Sequence, residues 1–326
     1  MKTATLWMTL LLALTTALHL RADTEVAFTA GTTIAFASVE TAQGILTNRD
    51  EFIRALSPFD RAARLKTDRE VTEAEFLAFV AKQAREWTPE DLAHATNALG
   101  IAAKRLAPRN LPLPKRITLV KTSGREEGNA SYTRGTAILL PAHELEGSVA
   151  GLESVLIHEF FHVLSRANSD LRAKLYAIIG FSAGNEIDYP AELLLRKITN
   201  PDGVSVRWSI NVTNQGRAFR VTPILYATVE KYPVAKGGEF FEYLNFKLLE
   251  IESVKDRWVP RLRDGQSLLH DAKELPGYFD QIGRNTDYII HPDEILASNF
   301  VFLMTGKAGL PSPRVTDEMA GILRGK

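Results

Sequence analysis

Apolar positions along this chain change period several times, and each change predicts a change of element. After Met1-Lys2, a run broken only by small polar residues reaches Leu20 and gives way to Arg21-Ala22-Asp23, the layout of a signal peptide cut after Ala22. Leu20 stands where a small residue is preferred, so the alternative is an uncleaved N-terminal anchor. Residues 23–39 are small, β-branched and aromatic, which suits a short strand or extended arm. Over residues 49–106 the spacing becomes helical, with stripes at Phe52, Ile53 and Leu56 and at Phe76, Leu77, Phe79 and Val80. Thr72-Glu73-Ala74-Glu75 has the capping-box form, and Thr88-Pro89-Glu90-Asp91 puts proline and acids into a first turn.

A proline-rich segment, residues 108–114, closes that region, and strand patterns follow at residues 117–120 and 137–140, predicting a hairpin or other strand pair. Residues 148–166 form a helix apolar on most of its circumference through Leu152, Val155, Leu156, Phe160, Val163 and Leu164, and such a helix is buried. Beyond it, residues 171–180, 191–197 and 237–254 have helical spacing, residues 204–212 and 219–229 have extended character, and Thr199-Asn200-Pro201-Asp202-Gly203 is a turn. A last amphipathic helix starts at Pro292. These elements predict an α+β fold that is mainly helical with a small β-sheet. The expected division is a signal peptide over residues 1–22, an N-terminal arm and helical region over 23–110, and a main domain over 111–326.

Composition narrows the function classes. Lys plus Arg equals Asp plus Glu at 39 each, so no global field draws the chain to nucleic acid or an anionic membrane. Cysteine is absent, which removes disulfides, thiolate catalysis and zinc–thiolate sites. Any metal must be held by His, Asp or Glu.

The buried helix carries His158-Glu159-Phe160-Phe161-His162. Residues four apart share a helix face, so the two imidazoles can meet one ion while Glu159 points beside it, placed to take a proton from water. A catalytic zinc commonly takes three protein ligands. A third histidine six residues on is excluded, because Asn168 stands there and Ser165 replaces the accompanying glycine. A carboxylate is then required, with Glu186, Glu192 and Glu294 as candidates. Glu294 is favoured: it lies in the first turn of an amphipathic helix, with small Ala297 nearby to allow close helix approach.

The pair of motifs, His158-Glu159-Phe160-Phe161-His162 and Glu294-Ile295-Leu296-Ala297, resembles the gluzincin metallopeptidases. The resemblance implies a zincin-like domain, Zn2+ on His158, His162 and Glu294, Glu159 as general base, and an enzyme acting on peptides or proteins, which the signal-like N-terminus would export to the periplasm or the medium. Many gluzincins have an aspartate four residues after the ligand glutamate to orient a ligand histidine. Ser298 stands there here, handing the role to Asn299 or Asp293. The resemblance also implies that the strand before the active-site helix, residues 130–140, offers an edge to extended substrate. Tyr288 is the candidate oxyanion donor, and His291 steadies the site, donates or caps. His94, His143 and His270 are expected to face solvent. The competing readings are a zinc hydrolase of cell-wall amides or other esters, and a non-catalytic exported module with a structural His pair.

Overall fold

The computed structural model describes residues 23–324; the proposed signal segment, residues 1–22, lies outside them. The extended N-terminal stretch forms a hairpin of β1 (Thr24–Thr29) and β2 (Thr32–Phe36), turning at Gly31 with φ +85°. Five helices follow: α1 (Val39–Thr47), α2 (Glu51–Ala55), α3 (Pro58–Arg64), α4 (Glu73–Ala81) and α5 (Pro89–Leu106). Ser38, Asp50, Ser57, Thr72 and Thr88 cap their first turns, and the last three complete capping boxes with Asp60, Glu75 and Asp91.

The chain then enters β3 (Arg116–Thr122), parallel to β2, followed by β4 (Tyr132–Arg134) and β5 (Ala137–Pro141). The expected pair, β3 and β5, are neighbours but run parallel; the hairpin is β4 with β5. The sheet order is β1-β2-β3-β5-β4, so strands from both sides of residue 110 share it. Against it lies α6 (Val149–Ala167), capped by Ser148. Its fully buried Leu156, Phe160 and Leu164 join Ile117, Leu119 and Ile138 of the sheet and Leu99 of α5 in one core.

After α7 (Ser169–Ile178) comes a second, antiparallel sheet of β6 (Phe181–Ala183), β7 (Trp208–Asn214), β8 (Arg217–Ala227), β9 (Leu244–Val254) and β10 (Arg257–Pro260), in the order β10-β9-β8-β7-β6. The short β11 (Leu262–Arg263) and β12 (Gln266–Ser267) pair with each other, and β13 (Leu269–His270) pairs with β9. Three helices finish the fold: α8 (Pro276–Ile282), α9 (Pro292–Thr305) and α10 (Pro313–Arg324).

Two helical expectations fail here. Residues 237–254 fold as a 3-10 turn, Phe240–Tyr243, and then β9. Leu, Glu and Lys favour helix in isolation, but β9 aligns with β8 from Leu244↔Ala227 to Ile251↔Arg220, and that pairing overrides propensity. Residues 191–197 form turns and a 3-10 turn, Leu194–Arg196, because Lys197 and Ile198 join the backbone of β8 at Tyr226 and Leu225. The expectation of a mainly helical, zincin-like domain with one small sheet is therefore incorrect. The protein is α+β, about 43% helix and 23% strand, with several sheets.

Candidate metal centre

The two helices that carry the motifs pack directly on each other. Phe161 of α6 meets Phe300 of α9 with ring centroids 5.4 Å apart, and the fully buried Ala297 leaves room for the close approach. His291 caps α9, its Nδ1 accepting from the Asp293 N–H at 3.1 Å, and Pro292 occupies the first helical position. The first turn of α9 thereby delivers Asp293 and Glu294 to His158 and His162.

His158, His162 and Glu294 converge. Glu294 Oε2 lies 3.1 Å from His158 Nε2 and 3.4 Å from His162 Nε2. Zinc–ligand bonds of 2.0–2.1 Å at tetrahedral angles place ligand atoms about 3.3 Å apart, so the spacing fits a shared ion. His162 Nε2 and Glu159 Oε2 are buried without a hydrogen-bond partner, a costly arrangement unless something occupies the space between them. The cluster also draws positive charge. Burial opposes a charged His162 ring, yet the Asp202 and Glu294 carboxylates and the bond to Asp293 raise its pKa well above the usual imidazole value. A divalent cation satisfies the same demand.

Supporting residues fix the ligand atoms. Asp293 Oδ2 lies 2.7 Å from His162 Nδ1, and because a carboxylate only accepts, that nitrogen carries a proton and Nε2 is the ring atom left to meet either a second proton or a cation. Ser165 Oγ and Tyr176 OH each donate to Asp293 Oδ1 at 2.6 Å. Asp293 thus fills the role left open by Ser298, whereas Asn299 is engaged with Asn285 and the Ile295 carbonyl. Asn200 Nδ2 donates to Glu294 Oε1 at 2.7 Å, leaving Oε2 turned toward the histidines.

The turn containing Asn200 has more than a structural place. Asp202 comes within 4.8 Å of the ligand atoms of His162 and Glu294, and its carboxylate accepts from Thr133 N–H at 2.9 Å and Thr133 Oγ at 2.5 Å. Arg166, one turn beyond His162, donates to Thr133 Oγ and lies 3.8 Å from Asp202. This corrects the expectation of an open edge for substrate. β4 is the outermost strand, but Asp202 closes its outer side at Thr133. Sequence reasoning missed Asn200 and Asp202 because Asn-Pro-Asp-Gly already satisfies turn chemistry.

The other candidates separate clearly. Glu159 is buried beside the histidines, and burial together with the Asp202 charge pushes its carboxyl up. Tyr288 stacks over His158 with centroids 6.3 Å apart. Desolvation and the Glu294, Asp202 and Glu159 carboxylates hold its hydroxyl in the protonated, donating form. Glu186 is occupied by Ser205 and the Val206 N–H, and Glu192 by the Ser267 N–H, so neither joins the cluster. His291 is buried, and burial depresses its pKa to about 4, so it caps as a neutral ring. His270 is not solvent-facing but bonds Glu250 at 2.9 Å, while His143 is half exposed and His94 is partly buried.

No protein-family model, curated protein or solved structure matches this chain.

Proposed function

We propose that the protein is an exported zinc-dependent metallopeptidase with a gluzincin-type ligand set: His158, His162 and Glu294. The observation that carries this reading is the convergence of both Nε2 atoms on Glu294 Oε2, with the unpartnered Oε2 of Glu159 alongside. When bound, zinc supplies a Lewis acid that acidifies water and polarises a carbonyl. Glu159, buried beside the histidines, would take a proton from the attacking water and pass it to the leaving amine. Tyr288 donates to the oxygen on which charge develops. Asp293 and Asn200 hold His162 and Glu294 in register. Among the described residues no helix is long and apolar enough to cross a membrane, so the export expectation rests on residues 1–22.

The test is metal analysis with a digest of a peptide library beside one of peptidoglycan. Glu159→Gln is expected to keep zinc and lose peptide hydrolysis by roughly 10²–10⁴-fold, whereas Glu294→Ala loses zinc. Purified protein holding under about half an equivalent of zinc would sink the proposal, and cleavage of peptidoglycan alone would move it to cell-wall amides.

A further inference from the structure

Thr199 stands next to Asn200, the residue that turns Glu294 toward the histidines, and each of its polar groups is engaged by α3. Its N–H lies 3.2 Å from both oxygens of Asp60, its hydroxyl donates to Asp60 Oδ2 at 2.8 Å, and its carbonyl accepts from Arg64 Nη2 at 3.4 Å. Asp60 and Arg64 lie 139 and 135 residues earlier in the chain. The two residues before Thr199 are fixed as well. Ser57 Oγ, at the cap of α3, donates to the Lys197 carbonyl at 2.6 Å, and the Ile198 N–H donates to the Leu225 carbonyl of β8 at 2.9 Å.

The α3 pair is itself held. Arg64 bonds Asp60 Oδ1 at 2.7 Å and the two oxygens of Glu127 at 2.9 and 2.6 Å, and the side chains of Arg64 and Asp60 are fully buried. The guanidinium also lies over Phe240, 4.3 Å from the ring centroid, and 5.6 Å from that of Phe52. A buried ion pair adds little net stability over an apolar replacement, because desolvation offsets the attraction. A planar fork between two carboxylates does supply direction. Here that direction is passed on. Asp60 and Arg64 fix Thr199, Thr199 fixes the backbone from which Asn200 projects, and Asn200 donates to Glu294 Oε1 at 2.7 Å.

The geometry points to Asp60 and Arg64 as positioning residues for the candidate metal centre, acting on Glu294 through Thr199 and Asn200. The N-terminal helical region thereby takes part in the site. The inference rests on the metal reading above and adds to it a control of ligand geometry from α3.

The experiment is a zinc competition against a chelator on the full chain, run as a double-mutant cycle. Asn200→Ala, which frees Glu294 Oε1, is expected to weaken zinc binding about 10–100-fold, the usual cost of losing an orienting partner. Asp60→Asn keeps the shape one step further out and is expected to weaken it at least about threefold. Added to Asn200→Ala, Asp60→Asn should cost less than about twofold more, because the path it acts through is already cut. With cobalt in place of zinc, Asp60→Asn should shift the visible bands in the same direction as Asn200→Ala. Glu250→Gln removes a buried carboxylate that bonds none of these residues and should leave zinc affinity unchanged. If Asp60→Asn does not fold, Thr199→Val, which removes the hydroxyl alone, takes its place with the same expectations. Additive losses, wild-type affinity in either single variant, cobalt bands unmoved by Asp60→Asn, or an equal loss in Glu250→Gln overturns the relay and leaves the metal reading standing. A wild-type chain that takes up no zinc sinks that reading, and the relay with it.

Discussion

Asp293 joins more of the site than any candidate ligand does. Its carboxylate accepts from His162, Ser165 and Tyr176 at once, and its own N–H anchors the His291 cap. Removing it frees the His162 ring to turn, and loss of such an orienting carboxylate costs about 10–100-fold in metal affinity. Asp293→Ala should therefore weaken zinc binding by that factor in a chelator competition, while Tyr176→Phe, which leaves two donors, should cost less. Equal affinity for Asp293→Ala and wild type would remove Asp293 from the site. Gly203 makes a second test. A Cβ there would meet the His291 ring at 2.5 Å, so Gly203→Ala must displace the cap and should destabilise the fold by about 1–3 kcal/mol in a denaturant titration. The histidines and Glu159 are legible in the sequence because helical period aligns them, and Glu294 because it opens a second amphipathic helix with small Ala297 nearby. Asn200 is not, since its partner Glu294 lies 94 residues away and no local pattern records the meeting.

At the level of elements, the helix starts are the most readable features, because a cap is a contact between residues three apart. Thr72 with Glu75 and Thr88 with Asp91 form as their spacing predicts, and Ser57 with Asp60 repeats the device. Strand β9 is the opposite case: its identity is set by β8, β10 and β13, none of which is visible from within its eleven residues. Glu250 records how tightly β9 is held. Its side chain is 1% exposed and bonds Arg217, Arg261 and His270 at 2.7–2.9 Å. Burial alone would raise its pKa, but the bonds from Arg217 and His270 and the charges of Arg217 and Arg261 bring it down to about 2. A carboxylate with a lowered folded-state pKa stabilises the fold above its unfolded value, near 4.5, and that stability is lost as pH falls toward 2. Thermal melts across that window should show a steeper loss for wild type than for Glu250→Gln. Parallel curves would mean that the cluster does not distinguish folded from unfolded chain.

For the whole molecule, the candidate metal centre is a joint between parts of the chain that are distant in sequence. It ties α6, packed on the first sheet, to α9, and through Asn200 and Asp202 to the connection between β6 and β7 of the second sheet. A cation at this joint binds the folded state and has no preformed site in the unfolded one, so it stabilises by mass action, about 4 kcal/mol when its free concentration is a thousandfold above Kd. For a chain of this size that corresponds to a rise in melting temperature on the order of 5–10 °C. Dialysis against a chelator should lower the melting temperature by that amount, and stoichiometric zinc should restore it. Glu294→Ala should melt near the chelated value and ignore both treatments, because the ligand that bridges α9 to α6 is gone. Glu159→Gln should respond as wild type does, since its carboxylate stands beside the ion and not on it. A wild-type melting curve indifferent to chelator would leave α6 and α9 held by the Phe161–Phe300 packing and the bonds from His162 and Ser165 to Asp293, with no cation at their junction.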